Sequence, residues 1–299
     1  MEISLFGFDQ AIEDFEASLQ RAVDEGFATY WTPQIFGMDA LTAIAVAARA
    51  VPGIRVGTSV IPTYPRHPMM LAQQALTTQA ATDGRLLLGI GLSHQPVVEG
   101  MWGMSFDRPV AHMRDYLEIL TPLLHKRRVS YAGEALTGRG EITPPPAEAP
   151  PVLVAALGPQ MLRLAGRVAD GTITWMTGPA TIAELTAPTI TAAAHEAGRS
   201  SPAVVVGLPV CVTNDVDAAR ARADRDFAIY GQLPSYRAML DREGAATPAD
   251  VAIIGDATEV ADRIGALAGC GATVFAASLF GDRDEQEASR EVLVSLRSN

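Results

Sequence analysis

One histidine follows an apolar run at a place where a loop could carry it to a substrate. His94 comes after Gly91-Leu92-Ser93, just beyond the apolar stretch 85–90. An imidazole titrates near neutrality, so it can donate or accept a proton. A loop histidine touching only solvent or a carbonyl would look the same in sequence. The others are His67, His112, His125 and His195. No two have metal-ligand spacing in one element and no carboxylate cluster joins them, so no metal site is expected. Ser93 invites a nucleophilic reading. Yet Gly91-Leu92-Ser93-His94-Gln95 is not the G-x-S-x-G elbow and has no base–acid pair, which argues against a hydrolase.

The remaining chemistry-bearing features are mostly backbone. Gly57-Thr58-Ser59-Val60-Ile61-Pro62 closes a β-branched run, and Pro65-Arg66-His67-Pro68 follows before a helix. Gly89-Ile90-Gly91 ends a second run but lacks the third glycine and the acidic partner of a dinucleotide fingerprint. Ala155-Ala156-Leu157-Gly158-Pro159-Gln160 follows a strand and opens a helix, whose first N–H groups could hold a phosphate. Pro159 has no N–H, so Gly158, Gln160 and Met161 would make the contacts. An ordinary tight β–α turn explains the same residues. Arg66 is either near an anion or solvated, and His67 reads as structural. Trp31, Trp102 and Trp175 either stack on a ring or fill core.

The elements that must position these residues alternate regularly. Apolar runs at 3–8, 28–32, 54–60, 85–90, 152–156, 170–175, 204–212 and 273–279 read as eight strands, with helices between them. Phe15, Leu19, Ala22 and Val23 share one helical face, Gly26 ends that helix, and Asp39 caps the next. Pro68 opens a third. A helix over 180–197 must bend near Pro188, and Asn214 is the expected cap of a helix running to residue 230. This pattern predicts an α/β fold, a (β/α)8 TIM barrel with insertions after the strands, in a single domain over 1–299. Residues 94–109 form a long irregular stretch. Residues 129–151, with a possible hairpin and a proline cluster, read as an excursion within the barrel and not as a linker.

In such a barrel the site lies at the C-terminal strand ends. Those ends are poor in acids, bases and nucleophiles here, and rich in aromatics, glycines and hydroxyls. Such a mouth suits a large planar ligand bearing a phosphate.

Composition narrows the partners. The chain has 299 residues, 48% hydrophobic and 19% charged, with net charge −11 and Lys126 its only lysine. No cationic run could displace counterions from a nucleic acid, so none is expected as partner. Cys211 and Cys270 lack CxxC spacing and read as buried small hydrophobes. No signal-peptide pattern and no run near 20 apolar residues occurs, which predicts a soluble cytoplasmic protein without membrane attachment.

Taken in order, five segments resemble the luciferase-like oxidoreductases, in particular the bacterial coenzyme F420-dependent branch. They are Gly26-Phe27-Ala28-Thr29-Tyr30-Trp31-Thr32-Pro33, the Gly57–Pro62 stretch with Pro65–Pro68, Gly84-Arg85-Leu86-Leu87-Leu88-Gly89-Ile90-Gly91, Ala156-Leu157-Gly158-Pro159-Gln160-Met161-Leu162, and Ala169-Asp170-Gly171. The resemblance spans nearly the whole chain. It implies a luciferase-like TIM barrel, often homodimeric, with a deazaflavin (F420) or flavin (FMN) ring in the mouth. It implies a bulge in the third strand, often with a non-proline cis peptide, matching Ser59-Val60. Thr58, Ser59 and Val60 would back the ring, Gly91, Leu92 and Ser93 border it, and Ala156, Leu157, Gly158, Pro159 and Gln160 take the phosphate. Many members carry an acid and a histidine after strand two, where this chain has Gln34-Ile35. That leaves His94 as proton donor or acceptor, with Gln34 as a hydrogen-bonding group. The implied activity is hydride transfer between F420 and an unidentified small organic substrate, with an F420 or flavin reductase as a functional partner. Two alternatives stand beside it: an FMN-dependent monooxygenase using reduced flavin and O2, and a non-catalytic deazaflavin-binding barrel.

Overall fold

The computed structural model describes residues 1–297. In chain order the strands are β1 (Glu2–Phe6), β2 (Thr29–Thr32), β3 (Arg55–Thr58), β4 (Ile61–Pro62), β5 (Leu86–Gly91), β6 (Arg128–Ala132), β7 (Thr137–Glu141), β8 (Val152–Val154), β9 (Gly171–Trp175), β10 (Ala203–Val212), β11 (Ile253–Gly255) and β12 (Val274–Leu279). Eight of them, β1, β2, β3, β5, β8, β9, β10 and β12, pair in parallel in that order. β12 then pairs with β1, Glu2 beside Val274 and Leu5 beside Ala277, and the sheet closes on itself. Helices cover its outside. This is the expected (β/α)8 barrel. Among the described residues no helix is long and apolar enough to cross a membrane.

The strands are apolar on both faces because both faces are covered. Inside the barrel, Phe6, Trp31, Leu153, Ile173, Val205 and Ala276 form one cluster. Outside, helix faces such as Phe15, Leu19 and Ala22 of Ile12–Asp24 pack on the strands. Each large side chain fully buried there contributes about 1.5–3 kcal/mol. An exposed ion pair such as Arg108–Glu134 contributes about 0–1 kcal/mol, so the apolar layers decide the stability. Trp31 fills the barrel interior. Its Nε1 donates to Ser4 Oγ at 3.1 Å, and Ser4 Oγ donates to the Phe275 carbonyl at 2.8 Å. Gly57 makes room for it, since a Cβ there would lie 2.2 Å from the indole. Trp31 is therefore core and no stacking platform.

Two elements differ from the sequence expectation, and two expected irregularities take a definite form. The third strand is interrupted where the resemblance implied a bulge: β3 stops at Thr58, the Ser59–Val60 peptide is cis, and β4 resumes pairing with β5 as Ile61 beside Ile90. The apolar stretch near 251–254 becomes β11. It pairs with Val210–Val212, on the edge of β10 that β9 leaves free beyond Gly207. The bend near Pro188 is a π-helical turn, Ile182–Thr186, placed just before the residue that lacks an N–H. The cap after β10 is Asp215, whose carboxylate accepts from the Ala218 N–H, and not Asn214.

The expected excursion after β5 contains the short helix Gln95–Gly100, the long helix Pro109–Lys126 and the antiparallel hairpin β6–β7. Asp115, fully buried on that long helix, fastens the hairpin. It accepts from the Tyr131 hydroxyl at 2.8 Å and from the N–H groups of Ala135 and Leu136 at 2.6 and 3.2 Å. A second excursion, 213–252, follows β10 and carries the helices Val216–Asp226, Ala228–Gln232 and Pro234–Glu243.

Candidate active site

The floor of the mouth is built from the interrupted third strand and the glycines of β5. Thr58 Oγ1 donates to the Gly89 carbonyl at 2.8 Å and accepts from the Gly89 N–H at 2.9 Å. These bonds lock the end of β3 to β5. Val60 then lies over two glycines. A Cβ at Gly89 would stand 2.0 Å from the Thr58 carbonyl oxygen and 3.1 Å from Val60 Cγ1. A Cβ at Gly91 would stand 2.5 Å from Val60 Cγ2 and 3.2 Å from the Ala155 Cβ. Only glycine allows this approach. Val60 and Ala155 are partly exposed and pack on the interior cluster beside Trp175.

The loop beyond Gly91 rises at one side of this floor. Ser93 takes a left-handed conformation (φ 63°), which turns the chain into His94. His94 stands at the N-terminus of Gln95–Gly100 but makes no cap bond with its side chain. Its ring is half-buried, 5.6 Å from the Tyr236 ring. Burial lowers its pKa, so the neutral imidazole is held to lower pH than usual. The turn after β8 lies alongside, because the Ala155 N–H donates to the Ile90 carbonyl at 2.8 Å. There Gly158 precedes the helix Pro159–Val168 without a side-chain cap, and Gly158, Pro159 and Gln160 are exposed. The Gln160 and Met161 N–H groups in this first turn have no intrahelical acceptor.

An aromatic wall, of which the sequence showed Trp175 and the aromatic-rich strand ends, runs from Phe8 round to His94. Phe8 packs on Phe6 (4.9 Å between centroids) and Phe6 on Trp175 (5.2 Å). Trp175 meets Tyr230 (6.0 Å), Tyr230 meets Tyr236 (5.0 Å), and Tyr236 meets His94. The Trp175 Nε1–H is buried without a hydrogen-bond partner, although the Tyr230 hydroxyl lies near it. Burial raises the pKa of both tyrosines, so their hydroxyls stay protonated. Tyr230 and Tyr236 are the members of this wall that the sequence reading missed, their one signal being two tyrosines six residues apart. Around the opening, Phe8, Ile35, Phe36, Met101, Met104 and Ile229 are exposed apolar side chains.

The structure thus gathers Ser59, Val60, Gly91, Leu92, Ser93, His94, Gly158, Pro159 and Gln160 at one end of the barrel. Three expected site residues are buried or already engaged by other groups. Thr58 is fully buried with its hydroxyl engaged on Gly89, so it shapes the floor from beneath. Ala156 is fully buried, leaving Leu157 and Gly158 as the accessible part of that turn. Gln34 is occupied at a helix start. Its Oε1 accepts from the Ala40 N–H at 3.1 Å, and its Nε2 donates to Asp39 Oδ2 at 3.4 Å. Asp39 also pairs with Arg66 Nη2, and the mostly buried Arg66 keeps its Nη1 without a hydrogen-bond partner. His67 caps the helix Pro68–Ala81, its Nδ1 accepting from the Met69 N–H at 3.3 Å.

The two glycines let Val60 settle low onto the backbone, the Trp175 indole N–H of the wall is buried and unsatisfied, and the helix start at Gly158 is uncapped. That donor set and shape fit a flavin-like ring with a phosphate.

Residues 4–274 match the family model described as luciferase-like monooxygenase, and the chain belongs to that family. Among relatives, a protein of Mycobacterium tuberculosis, named provisionally as a coenzyme F420-dependent oxidoreductase, is 35% identical over 164 residues. That alignment covers 50% of this chain and 47% of the relative, so this chain matches about half that protein's length. A 5,10-methylenetetrahydromethanopterin reductase of Methanolobus tindarius is 29% identical over 250 residues, 83% of this chain and 76% of the reductase. Among solved structures, an F420-dependent secondary alcohol dehydrogenase in complex with an F420–acetone adduct superposes with a TM-score of 0.82. It has 18% identity, and the match covers 100% of this chain and 99% of that one. At that identity the likeness concerns the fold.

Proposed function

We propose that this chain is an oxidoreductase that moves a hydride between coenzyme F420 and an uncharged organic substrate. The observation that carries the reading is the mouth itself. A floor of Val60 over two glycines is bordered by one half-buried, neutral imidazole, and the opening is rimmed with apolar side chains. The deazaflavin supplies the hydride chemistry when bound, which explains how a site so poor in acids and bases can be catalytic.

The chain's own residues do the rest. Val60 supports one face of the ring from below. Gly158, Gln160 and Met161 hold the phosphate through their N–H groups. The aromatic wall from Phe8 to Tyr236 excludes water from the other side. Tyr236 holds the His94 ring, and His94 takes or returns the proton that accompanies hydride transfer at the substrate oxygen. The exposed Phe36, Met101 and Ile229 favour an uncharged substrate, since none could pair a buried charge.

Titrating apoprotein with F420 and with FMN tests the cofactor assignment. Quenching by F420 alone is expected. Tight binding of FMN alone would replace this reading with the monooxygenase. The role of His94 is tested by His94→Ala: F420 affinity stays within about two-fold, and the rate of cofactor reoxidation falls about 10²-fold or more. An unchanged rate would remove His94 from the mechanism.

A further inference from the structure

A groove outside the mouth carries a charge that the mouth lacks. Val110 and Arg114 of the helix Pro109–Lys126 face Gln160, Arg163, Leu164 and Arg167 of the helix Pro159–Val168 across a depression of about 290 Å³. The four residues of the second helix recur at three- and four-residue spacing, so they share one face. From Gln160 to Arg167 that face runs about 10 Å down the barrel's side, away from the uncapped turn at Gly158. Arg114 already bonds Asp115 at 3.2 Å and Glu134 at 2.8 Å. Arg163 and Arg167 are exposed, and among the described residues neither has a carboxylate partner within ion-pair distance. In a chain of net charge −11, two adjacent guanidiniums without carboxylate partners make this groove a local concentration of positive charge.

We propose that this groove binds the carboxylates of an acidic tail that continues beyond the phosphate of the cofactor. A ligand with its phosphate at the Gly158–Met161 turn would leave the mouth at the upper end of the groove. A tail of carboxylates would then meet Gln160, Arg163 and Arg167 in succession. Guanidinium forks suit carboxylates in bidentate geometry better than an ammonium does. The inference rests on the F420 reading, and it adds a basis for choosing between the two cofactors. F420 bears glutamates beyond its phosphate, whereas FMN ends there. Arg163 and Arg167 are thus specificity-determining residues lying outside the ring site.

The test compares F420 bearing its glutamate tail with the same deazaflavin cut back to its phosphate. Binding is followed by fluorescence on the wild-type protein and on Arg163→Gln/Arg167→Gln. The wild type is expected to bind the tailed form about ten-fold more tightly at low salt, as two exposed ion pairs allow. The advantage should shrink at 0.5 M salt. The double variant should lose it while binding the truncated form unchanged, and Arg163→Lys/Arg167→Lys should restore part of it. Equal binding of both forms by the wild type, or a double variant that keeps the preference, overturns the groove and leaves the F420 reading intact. Failure of the wild type to bind either deazaflavin overturns both.

Discussion

Replacing Gly91 by alanine tests whether the floor of the mouth is made by Val60 resting on backbone. The new Cβ would stand 2.5 Å from Val60 Cγ2, against about 3.4 Å for ordinary contact, so Val60 must retreat by about 1 Å. It cannot move down, because Gly89 and Thr58 lie beneath it. It moves into the mouth, toward the place assigned to the ring. Overpacking of this size costs about 1–3 kcal/mol. With an unfolding entropy of about 2.1 cal/mol/K per residue over 299 residues, each kcal/mol lowers Tm by about 1.6 °C. The expected loss is therefore about 2–5 °C, with F420 affinity reduced about ten-fold or more. Val60→Ala in the same chain removes the clashing methyl and should restore most of the stability, giving a coupling energy of about 1 kcal/mol or more in the double-mutant cycle. Thermal and urea unfolding measure stability, and fluorescence titration measures binding. Wild-type stability in Gly91→Ala, or strict additivity with Val60→Ala, would refute the picture of Val60 seated on Gly91.

Two further outcomes follow from buried polar groups. His112 is buried, stacked on Tyr64 at 4.0 Å, with its Nε2 3.1 Å from Thr63 Oγ1, and burial lowers its pKa to about 4. The unfolded chain takes up that proton first. The contribution of His112 is therefore complete above about pH 6.5 and lost as pH falls toward 4, about 1 kcal/mol at pH 5 after discounting for solvent screening. His112→Phe should flatten this part of the urea-unfolding pH profile, and an unchanged slope would assign it to other groups. Asp39 accepts from Thr42 N at 2.9 Å and Gln74 Nε2 at 3.1 Å while pairing with Arg66. Asp39→Ala should cost about 2–3 kcal/mol in urea unfolding, because a helix cap and the partner of a half-buried guanidinium go together. Asp39→Asn should recover the cap and about half of the loss. A loss under 1 kcal/mol for Asp39→Ala would show that Arg66 repairs itself with solvent.

The barrel was legible because its signal is local. Short β-branched runs alternate with amphipathic helices, and each is bounded by a glycine, a proline or a cap. The meeting of Gly91, Ser93 and His94 with the Gly158 turn followed from strand order alone, since residues at adjacent strand ends are neighbours whatever their side chains do. What strand order cannot convey is which atoms a side chain already holds. Thr58 and Gln34 look available in sequence, yet one hydroxyl is engaged on Gly89 and one carboxamide on the start of Ala40–Ala50. Tyr230 and Tyr236 escaped notice for another reason. They lie about twenty residues past β10 in an arm whose path depends on packing against Trp175, and no periodicity records that. The cap at Asp215 shows how little separates neighbouring candidates: Asn214 and Asp215 are both good caps, and the hydrogen bond to Ala218 decides between them.

The pairing of β1 with β12 has a consequence for how the molecule is made. Glu2 and Val274 are register partners far apart in sequence, and β12 also supplies the neighbour of β10 from Val205 to Val210. A polypeptide still emerging from the ribosome, with residues before 274 complete, holds two unpaired strand edges facing each other across the gap. Those edges are apolar and ready to pair with another chain. The strand that closes the barrel is thus the one that ends exposure to aggregation, and a chain truncated before Val274 should be lost to misassociation and not merely weakened.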